Sequence, residues 1–96
     1  MSGLEQIKEK RDQILAIALR NGADHLRVFG SVARNADRPD SDVDFLVSML
    51  PGYDLLDLVA LERELEGVLH RKADVVSDDE ISPYLRVRIL EEAVAV

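Results

Sequence analysis

Apolar residues near the start of the chain fall at Leu4, Ile7, Ile14, Leu15 and Ala18, with lysines and glutamates between them. This spacing predicts an amphipathic helix over Leu4–Asn21, and Gly22 suits the left-handed backbone that ends a helix. Leu26–Phe29 is a short β-prone run cut off by Gly30-Ser31. Val32–Ala36 has room for a brief helix before the polar stretch Asp37–Ser41, where Pro39 dictates a loop.

Asp42–Ser48 alternates carboxylate and apolar residues at its start and then turns apolar, the pattern of a strand with one functional and one buried end. Pro51-Gly52 ends it. Asp54 caps the next helix, in which Leu55, Leu58, Leu61, Leu65, Val68 and Leu69 recur three or four residues apart, so the stripe reads first as core packing. His70, Arg71 and Lys72 place positive charge at its negative end. Ala73–Ser77 is a third short strand, and Ser82-Pro83 is an N-cap and first-turn pair for a helix through about Glu92. Val94–Val96 is a final edge strand or a tail. Strands alternating with helices predict an α/β fold, a small mixed sheet with helices packed on it, as a single domain over residues 1–96.

A chain of 96 residues can bury one hydrophobic core but not build a second lobe, so a substrate that needs a second wall is expected to find it on another chain. The absence of cysteine excludes disulfides and thiolate metal sites and suits a reducing cytoplasm. The longest apolar run, Ile14–Leu19, is far shorter than the roughly 20 residues that cross a bilayer, and no signal-peptide pattern opens the chain. A cytoplasmic protein with no membrane association is therefore expected. The net charge is −7, from 19 acidic and 12 basic side chains, and such a field repels phosphate backbones. Direct nucleic-acid binding is not expected; a cation or a basic partner is favoured.

The acidic residues are not evenly spread. Asp37, Asp40, Asp42 and Asp44 fall within eight residues, with only Arg38 among them to offset the charge. Residues two apart on a strand share a face, so Asp42 and Asp44 are expected to project together while Val43 and Phe45 point into the core. Two carboxylates about 5 Å apart repel by roughly 3 kcal/mol at an effective dielectric of about 20, which makes the pair a hard-oxygen site in outline, with Mg²⁺ the expected ion. Asp74 opens an otherwise apolar strand and completes this site if the two strands are neighbours. Upstream, Gly30 lets a phosphate approach the backbone, and the Ser31 hydroxyl and amide can donate to it. Arg34 either reaches a phosphate or pairs with the acidic loop. His25 and His70 lack ligand spacing and read as surface or cap residues. Arg86 and Arg88 read as a solvated helix face or as contacts to a nucleotide tail.

Gly30-Ser31, ten residues, then Asp42-Val43-Asp44: within VFGSVARNADRPDSDVDFLV, Val28–Val47, this spacing resembles the signature of the DNA polymerase β-like nucleotidyltransferase superfamily. The later LERELEGVLHRKADVVS extends the likeness to a third acid, Asp74. The resemblance implies a polymerase β-like palm fold and Mg²⁺-dependent transfer of a nucleoside monophosphate to a hydroxyl. Two Mg²⁺ ions would be bound by Asp42, Asp44 and Asp74, and the triphosphate tail of ATP would be held at Gly30 and Ser31. In size and pattern the chain is similar to the minimal nucleotidyltransferase antitoxins of HEPN/MNT toxin–antitoxin pairs, some of which adenylylate a tyrosine of the partner HEPN ribonuclease. A non-catalytic antitoxin that neutralises by binding alone is the runner-up reading, and transfer to a small molecule is disfavoured by the missing second lobe. Such proteins usually carry Ala-Arg-Gly after the Gly-Ser turn, where this chain has Ala33-Arg34-Asn35. Asn tolerates the left-handed backbone nearly as Gly does.

Overall fold

The computed structural model describes residues 2–96. In chain order the elements are α1 (Gly3–Glu9), α2 (Arg11–Arg20), β1 (Ala23–Phe29), α3 (Gly30–Ala33), β2 (Val43–Met49), α4 (Leu55–Leu69), β3 (Ala73–Ser77), α5 (Pro83–Glu92) and β4 (Val94–Ala95). The strands form one mixed sheet in the order β3-β2-β1-β4, with β1 antiparallel to both β2 and β4, and β2 parallel to β3. The expected α/β architecture is present, and the C-terminal run is an edge strand.

Local chemistry explains most boundaries. Ser2 and Glu5 form a reciprocal capping box on α1, and Asp54 and Asp57 form another on α4. The Ser82 side chain accepts from Leu85 N–H, with Pro83 in the first turn of α5. After α2, Gly22 takes φ 76°, and a Cβ there would collide with the ring of Tyr53.

Four boundaries depart from the sequence pattern. The single helix expected over Leu4–Asn21 is two, because the backbone at Lys10 leaves helical geometry (φ −105°, ψ 19°). Hydrogen bonding runs through this bend, from Lys10 N–H to the Gln6 carbonyl and from Ile14 N–H to the Lys10 carbonyl. At the bend the Lys10 ammonium donates to the Val68 carbonyl (2.8 Å) and Gln6 to that of Leu69 (3.3 Å), satisfying groups that the end of α4 leaves open. Strand β1 begins at Ala23 rather than Leu26, since a bulge between Asp24 and Arg27, with His25 at φ 50°, lets an exposed polar pair interrupt the alternation. The brief helix begins directly at Gly30, and β2 begins at Val43, leaving Asp42 just ahead of the strand.

One face of the sheet carries the core. Ile7, Ile14 and Ile17 from the first two helices and Leu58, Leu61, Leu65 and Leu69 from α4 pack on Val28, Val43, Phe45, Val47 and Val75. Val94, Val28, Phe45 and Val75 form a row across all four strands. The next row, Phe29, Asp44 and Asp74, points the other way, because successive strand residues alternate faces. The outer edge of β3 is covered from α4: Glu66 and Glu62 accept hydrogen bonds from the N–H groups of Ala73 (2.9 Å) and Val75 (3.0 Å). Helix α5 contributes no buried residue; it passes the opposite face, where Glu92 reaches Gly30 and Arg86 comes within 4.0 Å of Asp78.

Candidate active site

The polar face is organised around β2. Asp44 is the register partner of Asp74 on one side and of Phe29 on the other, so the two carboxylates leave neighbouring strands on one face. Gly30, which follows Phe29, has φ 75°, and a Cβ on it would run into the Asp44 carboxylate. A residue with a side chain would therefore be excluded twice, by its backbone and by its neighbour. Ser31 follows within α3 and is partly exposed.

Arg71 holds the loop between α3 and β2. Its side chain and that of Asp37 are 5% and 3% exposed and lie 2.9 Å apart. The rest of the guanidinium donates to Gln6, to the Arg38 carbonyl (2.7 Å) and twice to the Ser41 carbonyl. The loop that delivers Asp42 is thus tied to the turn that precedes β3, which delivers Asp74. This corrects the reading of Arg71 as charge at the end of α4: the helix ends instead on His70 in the left-handed conformation (φ 55°), which turns Arg71 inward. Asp37, one of the four clustered acids, is withdrawn from solvent into this pair.

Asp44 is half-buried, and its carboxyl is pushed above the usual aspartate range, first by loss of solvent and then by the charges of Asp74 and Asp42, with Glu92 adding to them and Arg34 opposing. Among the described residues no three His, Cys, Asp or Glu side chains are gathered tightly enough to hold a metal ion. Asp42, Asp44 and Asp74 are therefore electrostatic neighbours without forming a ready-made cage. Their chemistry nevertheless fits Mg²⁺: all three donors are hard carboxylate oxygens, and the raised Asp44 carboxyl reports a like-charge repulsion that a divalent cation would offset.

Arg34 does not pair with the acidic loop. Its guanidinium pairs at 3.0 Å with Glu92 at the end of α5, and the other oxygen of that carboxylate accepts from Gly30 N–H at 3.0 Å. The hydrogen bonds from the Gly30 amide and from Arg34 hold the Glu92 carboxyl below the usual range. Phe29, Gly30, Arg34, Leu85, Arg88, Ile89 and Glu92 line a cleft of about 420 Å³ beside the acids. Arg88 thus faces this cleft, whereas Arg86 lies toward Asp78. Sequence reasoning does not find the roles of Glu92 and Arg71: one only marks the end of the last predicted helix and the other reads as a helix-end charge, and no spacing rule links either to residues so far along the chain.

Comparison with known proteins identifies the family of the fold. The family profile described as "Polymerase beta, Nucleotidyltransferase" matches residues 4–96. A protein of Methanocaldococcus jannaschii, provisionally named a protein adenylyltransferase, is 46% identical over 90 residues, covering 94% of this chain and 97% of its own. The protein adenylyltransferase MntA of Thermococcus cleftensis is 35% identical over 77 residues, 80% of this chain and 78% of its own. A solved structure provisionally described as a minimal nucleotidyltransferase superposes with a TM-score of 0.90 at 43% identity, covering 100% of this chain and 97% of that one. A toxin–antitoxin complex with AMP-PNP shares the fold, with a TM-score of 0.76 at 20% identity over 88% of this chain and 69% of that one.

Proposed function

The chain belongs to the polymerase beta nucleotidyltransferase family, and from that premise we propose that it transfers AMP from ATP to a hydroxyl, a tyrosine of a partner HEPN ribonuclease toxin, and so acts as the antitoxin. The observation that carries this reading is the in-register carboxylate pair Asp44 and Asp74 beside the positive-φ Gly30. Gly30, Ser31 and Arg34 hold the triphosphate. Asp42, Asp44 and Asp74 hold two Mg²⁺ ions, which when bound polarise the α-phosphoryl group and neutralise the departing pyrophosphate. The acceptor oxygen forms a bond to the α-phosphorus as the bond to the bridging oxygen of the β-phosphate breaks. The hydroxyl proton passes to the Asp74 carboxylate, at the end of the three-strand row.

A protein acceptor is favoured over a small molecule. Leu85 and Ile89 of α5 line the cleft, and Tyr84, Leu85, Val87 and Leu90 of the same helix are exposed, an apolar surface next to the site. The names of the relatives, protein adenylyltransferases, agree with it. No helix among the described residues is long and apolar enough to cross a membrane.

The test is to incubate the protein with ATP, Mg²⁺ and the product of the adjacent gene, then weigh that product. One or more added AMP units are expected with wild type and none with Asp42→Ala or Asp74→Asn. An unmodified partner that is nonetheless neutralised, equally by wild type and Asp44→Ala, would replace this reading with neutralisation by binding alone.

A further inference from the structure

Glu92 ends α5 with its two carboxylate oxygens on two different donors, the Gly30 amide and the Arg34 guanidinium, each at 3.0 Å. Two anionic oxygens bridging a backbone N–H and an arginine is also the way a phosphate is gripped. We propose that Glu92 is an internal anion occupying the phosphate grip of the nucleotide site, so that ATP binds by displacing it and loosens the junction of α5 and β4. The proposal rests on the assignment of Gly30 and Arg34 to the triphosphate.

An exposed ion pair alone would not justify this. The Arg34 and Glu92 side chains are 56% and 34% exposed, and such pairs contribute little. The backbone donor makes the contact different in kind, since the Gly30 amide belongs to a residue that can carry no side chain and cannot swing away. Glu92 also lies close enough to Asp44 to add to the repulsion on that carboxyl already coming from Asp74 and Asp42.

The segment carrying the latch is lightly anchored. Helix α5 has no buried residue, and β4 pairs with β1 only at Val94 and Ala95, with one further hydrogen bond from Val96 N–H to the Leu26 carbonyl (3.1 Å). Segments with so few buried contacts open at small free-energy cost. A triphosphate brings more charge and more oxygens than one carboxylate and wins by mass action. Its apparent affinity is reduced by the fraction of molecules in which the grip is free.

The experiment is equilibrium binding of a fluorescent ATP analogue with Mg²⁺ to the full chain, as wild type, Glu92→Gln and Glu92→Ala. Both variants are expected to bind roughly tenfold more tightly, as a mostly closed competitor would dictate. Equal or weaker binding by the variants overturns the latch and leaves the site assignment standing. No binding by any of the three overturns the site assignment itself and the latch with it. Should either variant fold poorly, hydrogen exchange on wild type decides: ATP is expected to speed exchange at Ala93 and Val96 several-fold, and unchanged or slower exchange overturns the displacement.

Discussion

Gly30 and Asp44 interlock: with Gly30 at φ 75°, the space where its Cβ would lie is already taken by the Asp44 carboxylate. Gly30→Ala must therefore strain the backbone and push the Asp44 carboxylate aside. We expect a loss of about 1–3 kcal/mol of stability and a fall in transfer activity of about 100-fold or more. Gly52→Ala separates the two causes, because Gly52 has φ 91° with nothing within 4 Å of an added Cβ. Urea denaturation and the transfer assay together check the pair; a Gly30→Ala protein that is strained like Gly52→Ala yet fully active would refute the interlock.

Asp44 itself is predicted to trade stability for function. Its folded-state carboxyl is raised by burial and by Asp74 and Asp42, so between the ordinary aspartate range and that raised value the native state holds more protons than the unfolded state. Stability then falls as pH rises through this window, and the full cost remains above it. Asp44→Asn should abolish transfer yet raise stability of the metal-free protein at neutral pH, read as a higher Tm. The gain should vanish in acid, where wild-type Asp44 is protonated in both states. Melting curves across pH check this, and a less stable Asn variant at neutral pH contradicts it.

How much of this was readable in advance follows from the range of each signal. The leucine stripe declares its helix by spacing alone: Leu58, Leu61, Leu65 and Leu69 are buried and Val68 partly so, while Leu55 in the first turn is 65% exposed and is not core. The caps Asp54 and Ser82 are equally local, and both make the expected hydrogen bonds. Asp44 and Asp74 each stand out as acids at strand starts, but their adjacency depends on β2 pairing with β3, which no residue pattern encodes. Arg71 meets Asp37 across 34 residues and Glu92 meets Gly30 across 62. Contacts at that range belong to the assembled fold, so they were missed.

Asn35 is a case where a departure from the family pattern has a physical licence. It sits at φ 57°, the left-handed region that the expected glycine would occupy freely. Asn35→Gly should change stability by less than about 0.5 kcal/mol, whereas Asn35→Val, with a branched Cβ, should cost about 1–2 kcal/mol. Urea midpoints measure both, and a valine variant as stable as wild type would show that the turn relaxes.

Arg71 offers the sharpest test of what holds the site together. With Asp37 it forms a pair removed from solvent, and its five hydrogen bonds run to Gln6, Asp37, Arg38 and Ser41, so it links α1 and the loop before Asp42 to the turn before Asp74. Removing one partner leaves a buried charge alone, which costs about 3–5 kcal/mol, so Arg71→Met should approach the limit of stability for a domain this small. Asp37→Asn should cost less, since the amide oxygen still accepts a hydrogen bond, although the guanidinium loses its counter-charge. The double variant should be less damaged than the sum, by at least about 1 kcal/mol, because each change removes the reason the other hurts. Arg71→Lys should not rescue, as one ammonium cannot span acceptors arranged around a planar fork. Additive losses in the cycle, or a fully stable lysine variant, would mean that the loop carrying Asp42 is held by something other than this residue.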